Sequence, residues 1–494
     1  MGVRASPLSS RVGVVLPLLA LALRIWDFGN PVIHVDEQWY LLVGDRLLHG
    51  AIPFVDLWDR KPVGLFLLYA AMRLLGGDPI VTYQLIACLS AAATALVVAG
   101  GARAVGANER GALAAGAAYL LGLSLLGGRG GQAPVFYDLP IAVAGAMTLR
   151  LPALAVAGRI GAIVARGAVV CALAGLAIQI KYTAAIEGAF FGLAHLYFLC
   201  RAGGRPAATA GAGTLWLALG LMPTLAAAGW YTAHGHAAAW WFANFTSIAL
   251  RPGYPVDQLA MRLLGIGAQL APLAVAAVIA WRERRGPVAA VALAWLAAAL
   301  IGFLVIGTWF DHYALPLLAP LAIAAAPALG RRSRLLVAVL GLMGAIWAVE
   351  RWSARDDGPG VRAVAAVVKR ESGGTCPYVF IGDTITYLLA DACTPTAYAF
   401  PNLLAYTTER GATGIDEAAE VRRVLARRPR VIVTSDRRLD IWNPASVAAL
   451  RAVLPAYRLA LRVPRAGWHT LVYVLAAPIG PAAPPSRAAP PTRP

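Results

Sequence analysis

The chain has 494 residues, 59% of them hydrophobic and only 14% charged, with a formal net charge of +18. Soluble globular proteins carry about 25% charged residues, so the composition excludes a soluble enzyme and predicts an integral membrane protein with several spans. The excess of positive charge does not point to nucleic acid, because the arginines fall in short loops between apolar runs, as in cytoplasmic loops.

Lysine occurs only at Lys61, Lys181 and Lys369, so arginine is the default cation. With the alanine and glycine excess, this bias fits a GC-rich bacterial genome. The first apolar run, 12–28, follows Arg4 and Arg11. In a multi-pass protein it reads as an uncleaved span rather than a signal peptide. The myristoylation-like N-terminus is set aside, since the chain already spans the membrane.

A long loop, 29–78, comes next and concentrates charge in an otherwise apolar chain: Asp36, Glu37, Asp45, Asp56, Asp59, Arg60 and Lys61. Charges cost several kcal/mol when buried unpaired in a bilayer, so this loop is expected at a membrane surface or around a wet cavity. Residues 37–49 are predicted to form a helix lying flat on the interface, with Trp39, Leu42, Val43 and Leu47 on its apolar face. Residues 63–76 are apolar but too short to span, so a second surface-lying or re-entrant helix is expected there.

Further apolar runs follow at 79–102, 111–127, 136–157, 167–183, 184–200, 207–231, 258–281, 287–307, 313–330 and 335–351, giving eleven spans with the first. With the N-terminus in the cytoplasm, and 63–76 not counted, every arginine cluster between spans falls inside. Residues 353–477 mix helix-like and strand-like stretches and read as a small α/β domain on the outer side, with transmembrane residues 1–352 before it. A Pro/Ala-rich tail, 478–494, is expected to be disordered. Cys376 and Cys393 are able to form a disulfide if that domain lies outside the cytoplasm; Cys88, Cys171 and Cys200 read as apolar-run residues.

Several residues allow a plain and a chemical reading. Asp36 is suited to capping a helix, and equally to acting with Glu37 as a general base or metal ligand. Asp138 either starts a helix favourably or joins Asp36 in one site. Lys61 is either part of a solvated turn or a point charge for a lipid phosphate. Lys181 either snorkels, pairs with Glu187 or serves a site. His312 and Tyr313 suit an interfacial belt or a donor to phosphate or sugar. His234 and His236 lack a third metal ligand, and Asn244-Phe245-Thr246 is a glycosylation sequon by pattern alone. No P-loop, nucleophile elbow or zincin motif is present, which leaves soluble nucleotide chemistry unsupported.

The order of features is more informative than any one of them. One span is followed by His34-Val35-Asp36-Glu37 and a surface helix. Then come Gly50-Ala51-Ile52-Pro53, Asp56, Trp58, Lys61-Pro62 and a short apolar helix. This order resembles the GT-C superfamily of polyprenyl-phosphate-sugar glycosyltransferases, in the branch of protein O-mannosyltransferases and lipid A aminoarabinose transferases. The likeness is strongest over 30–200, including Asp138-Leu139-Pro140, and weaker over 309–320. Lys61-Pro62-Val63 departs from the Lys-Pro-Pro frequent in the family. The resemblance implies an α-helical polytopic fold with about eleven transmembrane helices and a membrane enzyme that passes a sugar from a polyprenyl-phosphate donor to an extracytoplasmic acceptor, with inversion. It implies Asp36, Glu37 and Asp138 as catalytic candidates, and Lys61, Arg60 and His312 as donor-phosphate candidates. Tyr40, Trp58, Asp59, Lys181 and Tyr313 are expected around the substrate. The sequence leaves a metal requirement open: Asp36 and Asp138 are suited to Mg²⁺ or Mn²⁺, and the same pair can work without metal. A lipid-linked-glycan transporter or a non-catalytic envelope-assembly protein is the alternative.

Overall fold

The computed structural model describes residues 9–476; the tail and the extreme N-terminal pattern lie outside the described residues. The first helix, α1 (Ser10–Arg24), is capped by the Ser9 side chain and continues into a 3-10 turn, Ile25–Asp27. Two helices of the long loop follow, α2 (Val35–Leu48) and α3 (Val63–Leu74). The bundle then runs α4 (Pro79–Ala104), α5 (Glu109–Leu125), α6 (Ala133–Thr148), α7 (Leu151–Val156), α8 (Ile160–Ile178) and α9 (Ala184–Arg201). After α10 (Pro206–Ala233) come two short helices, α11 (Ala237–Trp241) and α12 (Ser247–Ala249). The bundle closes with α13 (Val256–Glu283), α14 (Pro287–Val305), α15 (Leu318–Arg331) and α16 (Ser333–Ser353).

A helix occupies each of the eleven expected spans. Among the described residues, seven helical stretches, one of them α6 continued through α7, are long and apolar enough to cross a membrane. Of the other four, α1 with 15 residues and α15 with 14 are shorter than the runs expected for them, whereas α5 with 17 and α9 with 18 match theirs. Both α1 and α15 are extended by 3-10 turns, and α5 and α15 bury most of their residues, including against each other. A helix surrounded largely by protein does not need the full hydrocarbon length that a lipid-exposed one does.

The C-terminal region opens with α17 (Gly358–Glu371), whose buried Val361, Val364, Ala365 and Val368 recur at helical spacing. Its sheet has four strands: β1 (Tyr378–Val379), β2 (Val431–Ser435), β3 (Tyr457–Pro464) and β4 (His469–Leu475), in the order β1-β2-β4-β3. The β1–β2 pair is parallel and the other two are antiparallel. Every residue of β2 is buried, as a central strand covered on both faces requires. Four helices, α18 (Ile385–Leu389), α19 (Pro401–Ala405), α20 (Glu417–Ala426) and α21 (Pro444–Val453), complete it. Cys376 and Cys393 form a disulfide.

One expectation fails at α2. It is not a helix with one wet face, because Glu37 through Asp45 are all buried. The C-terminal region covers its polar side. Gln38 hydrogen-bonds Asp383 and the Ile385 amide, Arg46 donates to the Ala392 carbonyl at 2.7 Å, and Trp39 packs on Phe400. Asp45 is held by Arg73 of α3 at 2.9 Å.

Candidate active site

The site is built on the start of α2. His34 caps the helix: its Nδ1 accepts the Asp36 amide at 3.2 Å and also lies against the Gln132 amide. That ring nitrogen is therefore an acceptor. Capping turns the Asp36 side chain outward and the Glu37 side chain inward, a consequence of helical rotation between successive residues.

Asp36 keeps 19% of its side chain exposed. Its Oδ2 lies 3.7 Å from His312 Nε2 and 4.0 Å from His34 Nδ1, and the two imidazoles meet edge to face at 5.0 Å. Burial alone raises a carboxyl; here Lys61, the two imidazoles and Gln132 outweigh it and hold Asp36 well below the usual carboxylate range. Lys61 is the cation that decides this, since burial pushes the pKa of both His34 and His312 down and keeps them neutral. Asp36 is thus ionised at any physiological pH.

Glu37 is different. It is fully buried, accepts the Tyr83 hydroxyl at 3.2 Å and the Gly131 amide, and leaves Oε1 without a partner. Burial pushes its pKa up to about 7. The loop opposite it has no room for a side chain, because a Cβ at Gly130 would run into the Glu37 carboxylate. Arg24, buried at the end of α1, fixes that loop by donating to the carbonyls of Gly128, Arg129 and Gly130. Glu37 therefore sits beneath the site and shapes its floor.

Lys61 supplies positive charge beside Asp36, and Lys181 lies nearby with its pKa lowered by burial to about 7. The Lys61 ammonium lies 5.4 Å from the centre of the Tyr40 ring, and the Tyr40 hydroxyl is buried without a partner. Asp59 and Asp36 raise the Lys61 pKa against the effect of burial. Lys181 is 8% exposed, in the turn between α8 and α9, with its ammonium 3.9 Å over the Tyr313 ring. It does not pair with Glu187, whose carboxylate takes the Trp295 indole N–H at 2.7 Å. Among the described residues neither lysine has a carboxylate within ion-pair distance. Both are close enough to Asp36 to feel its charge.

Other predicted residues fall elsewhere. Asp138 is buried in α6; Tyr119 donates to its Oδ2 at 3.2 Å, Oδ1 has no partner, and Lys181 and Glu187 are its charged neighbours. Among the described residues no three His, Cys, Asp or Glu side chains cluster as metal ligands do. Arg60, grouped by sequence with the phosphate donors, has its guanidinium committed to Glu409 at 2.5 Å, to Ser247 and to the Ala412 carbonyl. Trp58 is a packing residue: its amide donates to the Ala397 carbonyl and its ring meets Tyr398. Asp59 caps the turn by accepting the Arg60 and Lys61 amides on one oxygen. Asn244 of the sequon is fully buried and accepts the Tyr182 hydroxyl at 2.8 Å, so it offers no glycosylation site in the folded chain.

The chain superposes on the crystal structure of ArnT from Cupriavidus metallidurans bound to undecaprenyl phosphate with a TM-score of 0.64, at 14% identity, covering 96% of this chain and 99% of that one. Against ArnT from the same organism in the apo state the TM-score is 0.61 at 14% identity, over 94% and 98% of the two chains. The chain shares the fold of these two structures. No family model and no curated protein sequence matches it, so the likeness is one of architecture.

Within this fold, sequence reading alone misses Arg24, Gln132, Gly130 and Glu409. Arg24 looks like the end of an apolar run, and Gln132 and Gly130 like ordinary loop residues. The charge of Glu409 sits 349 residues from its partner Arg60, a distance no local pattern bridges.

Proposed function

We propose that the protein is a membrane glycosyltransferase that moves a sugar from a polyprenyl-phosphate donor to an acceptor hydroxyl or amine, with inversion at the anomeric carbon. The observation that carries this reading is an ionised carboxylate, Asp36, beside two lysines that lack carboxylate partners: the Lys61 ammonium, and Lys181, whose pKa burial lowers to about 7 so that a nearby anion would complete its charge. Unpaired, largely buried cations are costly unless an anion completes them, and a phosphate monoester or diester is such an anion. The ArnT crystal structure of the same fold holds undecaprenyl phosphate, which supports a polyprenyl phosphate as that anion.

In this mechanism the acceptor nucleophile hydrogen-bonds to Asp36. Its attack on the anomeric carbon breaks the bond to the phosphate oxygen, and its proton passes to the Asp36 carboxylate. A strongly depressed carboxyl is a weak base, so the proton moves late, when the nucleophile has become acidic through bond formation. Negative charge builds on the departing phosphate, where Lys61 and Lys181 stabilise it. His312 lies 3.7 Å from Asp36 and, kept neutral by burial, lines the carboxylate's side of the site.

The site end of the bundle faces the extracytoplasmic side of a bacterial inner membrane in this reading, with the N-terminus in the cytoplasm. Two features support it. The arginine clusters at 103–110, 282–285 and 331–334 occupy the opposite end, and the Cys376–Cys393 disulfide belongs to an oxidising compartment.

The test is transfer by purified protein in lipid nanodiscs, given radiolabelled polyprenyl-phosphate sugars and an envelope extract. Wild type is expected to move label to a new product. Asp36→Asn is expected to lose at least about 100-fold in rate while binding the donor normally. Full activity in that variant overturns the role of Asp36.

A further inference from the structure

Three segments far apart in sequence meet at one carboxylate. Glu409, in a 3-10 turn of the C-terminal region, is 5% exposed. One of its oxygens accepts Arg60 Nη1 at 2.5 Å and the other accepts Arg251 Nη2 at 2.7 Å. Arg60 is gripped further by Ser247 Oγ at 3.2 Å, by the Ala412 carbonyl at 3.2 Å and by the face of Trp58 at 4.8 Å. The turn carrying Ala412 is itself tied down, because the Gly411 amide and the Thr413 hydroxyl both donate to Glu417 at 2.8 Å.

Arg60 immediately precedes Lys61. The backbone between them is pinned on the other side by Asp59, which accepts both of their amides. The peptide carrying Lys61 is therefore held by two carboxylates, one local and one from the C-terminal region. A planar guanidinium with every edge occupied has one orientation, and the residue bonded to it has little freedom. Without Glu409, Arg60 and Arg251 would face each other as like charges in a largely buried place, and the Lys61 turn would be pushed from its position.

Building on the glycosyltransferase reading, we propose that Glu409 is a positioning residue for the reaction, fixing Lys61 against the donor phosphate through Arg60. The C-terminal region would then act on the donor side of the reaction through this contact. Arg60 works through its neighbour rather than by touching substrate.

The experiment measures undecaprenyl phosphate binding to full-length protein in nanodiscs, for wild type, Glu409→Gln, Lys61→Ala and the double variant. Glu409→Gln is expected to weaken binding about tenfold in the wild-type background and less than about twofold once Lys61 is removed, because the two act through one contact. A general loss of fold would weaken binding by the same factor in both backgrounds, and that outcome overturns the proposal, as does normal affinity in Glu409→Gln. Hydrogen exchange of the 56–62 peptide supplies an independent reading. Faster exchange in Glu409→Gln supports the clamp, and unchanged exchange overturns it. If Glu409→Gln does not fold, Arg60→Lys takes its place, since lysine keeps the charge but not the fork. Absence of saturable binding in wild type would count against the polyprenyl-phosphate reading itself, and the exchange measurement would still decide the role of Glu409.

Discussion

Asp36 and Glu37 are adjacent in sequence and opposite in chemistry. Asp36 faces two histidines and Lys61 and is ionised; Glu37 faces Tyr83, Gly131 and a polar atom's worth of unfilled bonding, and burial pushes its pKa up to about 7. The sign of the resulting pH dependence follows from the raised value. Between the ordinary glutamate value and pH 7 the folded chain binds more protons at Glu37 than the unfolded chain does, so stability falls as pH rises through that window. The loss at alkaline pH is about 3 kcal/mol by the usual conversion. Glu37→Gln is expected to remove this slope, and melting curves from pH 5 to pH 8 check it. An identical slope in the variant would assign the effect to another group. Asp36 contributes no slope above the acid range, because its pKa is depressed.

At the scale of elements, the turn before α6 is what lets α2 come close. Arg24 of α1 donates to three successive carbonyls of the 128–130 loop, Tyr69 of α3 donates to the Gly131 carbonyl at 2.6 Å, and Gln132 reaches His34. Three helices thus shape one glycine-rich loop against Glu37. Gly130→Ala is expected to cost about 1–3 kcal/mol by overpacking and to lower transfer by displacing the start of α2. Thermal melting and turnover measured together test this, and a neutral result in both would mean the loop can retreat. A control with the same residue change is Gly161→Ala, where nothing lies within 4 Å of the new atom.

At the scale of the molecule, the C-terminal region packs against the long loop rather than standing apart as an appendage. It meets the long loop at Gln38, Trp39, Arg46, Trp58 and Arg60. The Cys376–Cys393 disulfide lies beside this contact, because Ala392 supplies the carbonyl that Arg46 holds. The bridge closes a short loop, for which stabilisation of about 3 kcal/mol is typical. Cys393→Ser is therefore expected to lower the melting temperature and loosen the Arg46 contact, seen as faster hydrogen exchange over 44–50. Peptide mapping of protein prepared without reductant is expected to find the bridge, and free thiols at both positions would oppose the outward placement of this region.

Sequence by itself determined the parts set by composition and period. Apolar runs of sufficient length must be helices in a bilayer, where every backbone amide needs an internal partner, and the eleven runs became eleven helices. It also located Asp36 and Lys61, because charge in an apolar chain is conspicuous and their spacing is local. Tertiary structure alone decided which charges face each other. Arg60, grouped with Lys61 by sequence, turned to Glu409; Lys181, six residues before Glu187, stacked on Tyr313 instead. The polar face of α2, legible as a wet surface, became an interface once the C-terminal region covered it. Electrostatic partners are chosen by distance in space, and no periodicity along the chain encodes a contact between residues 60 and 409.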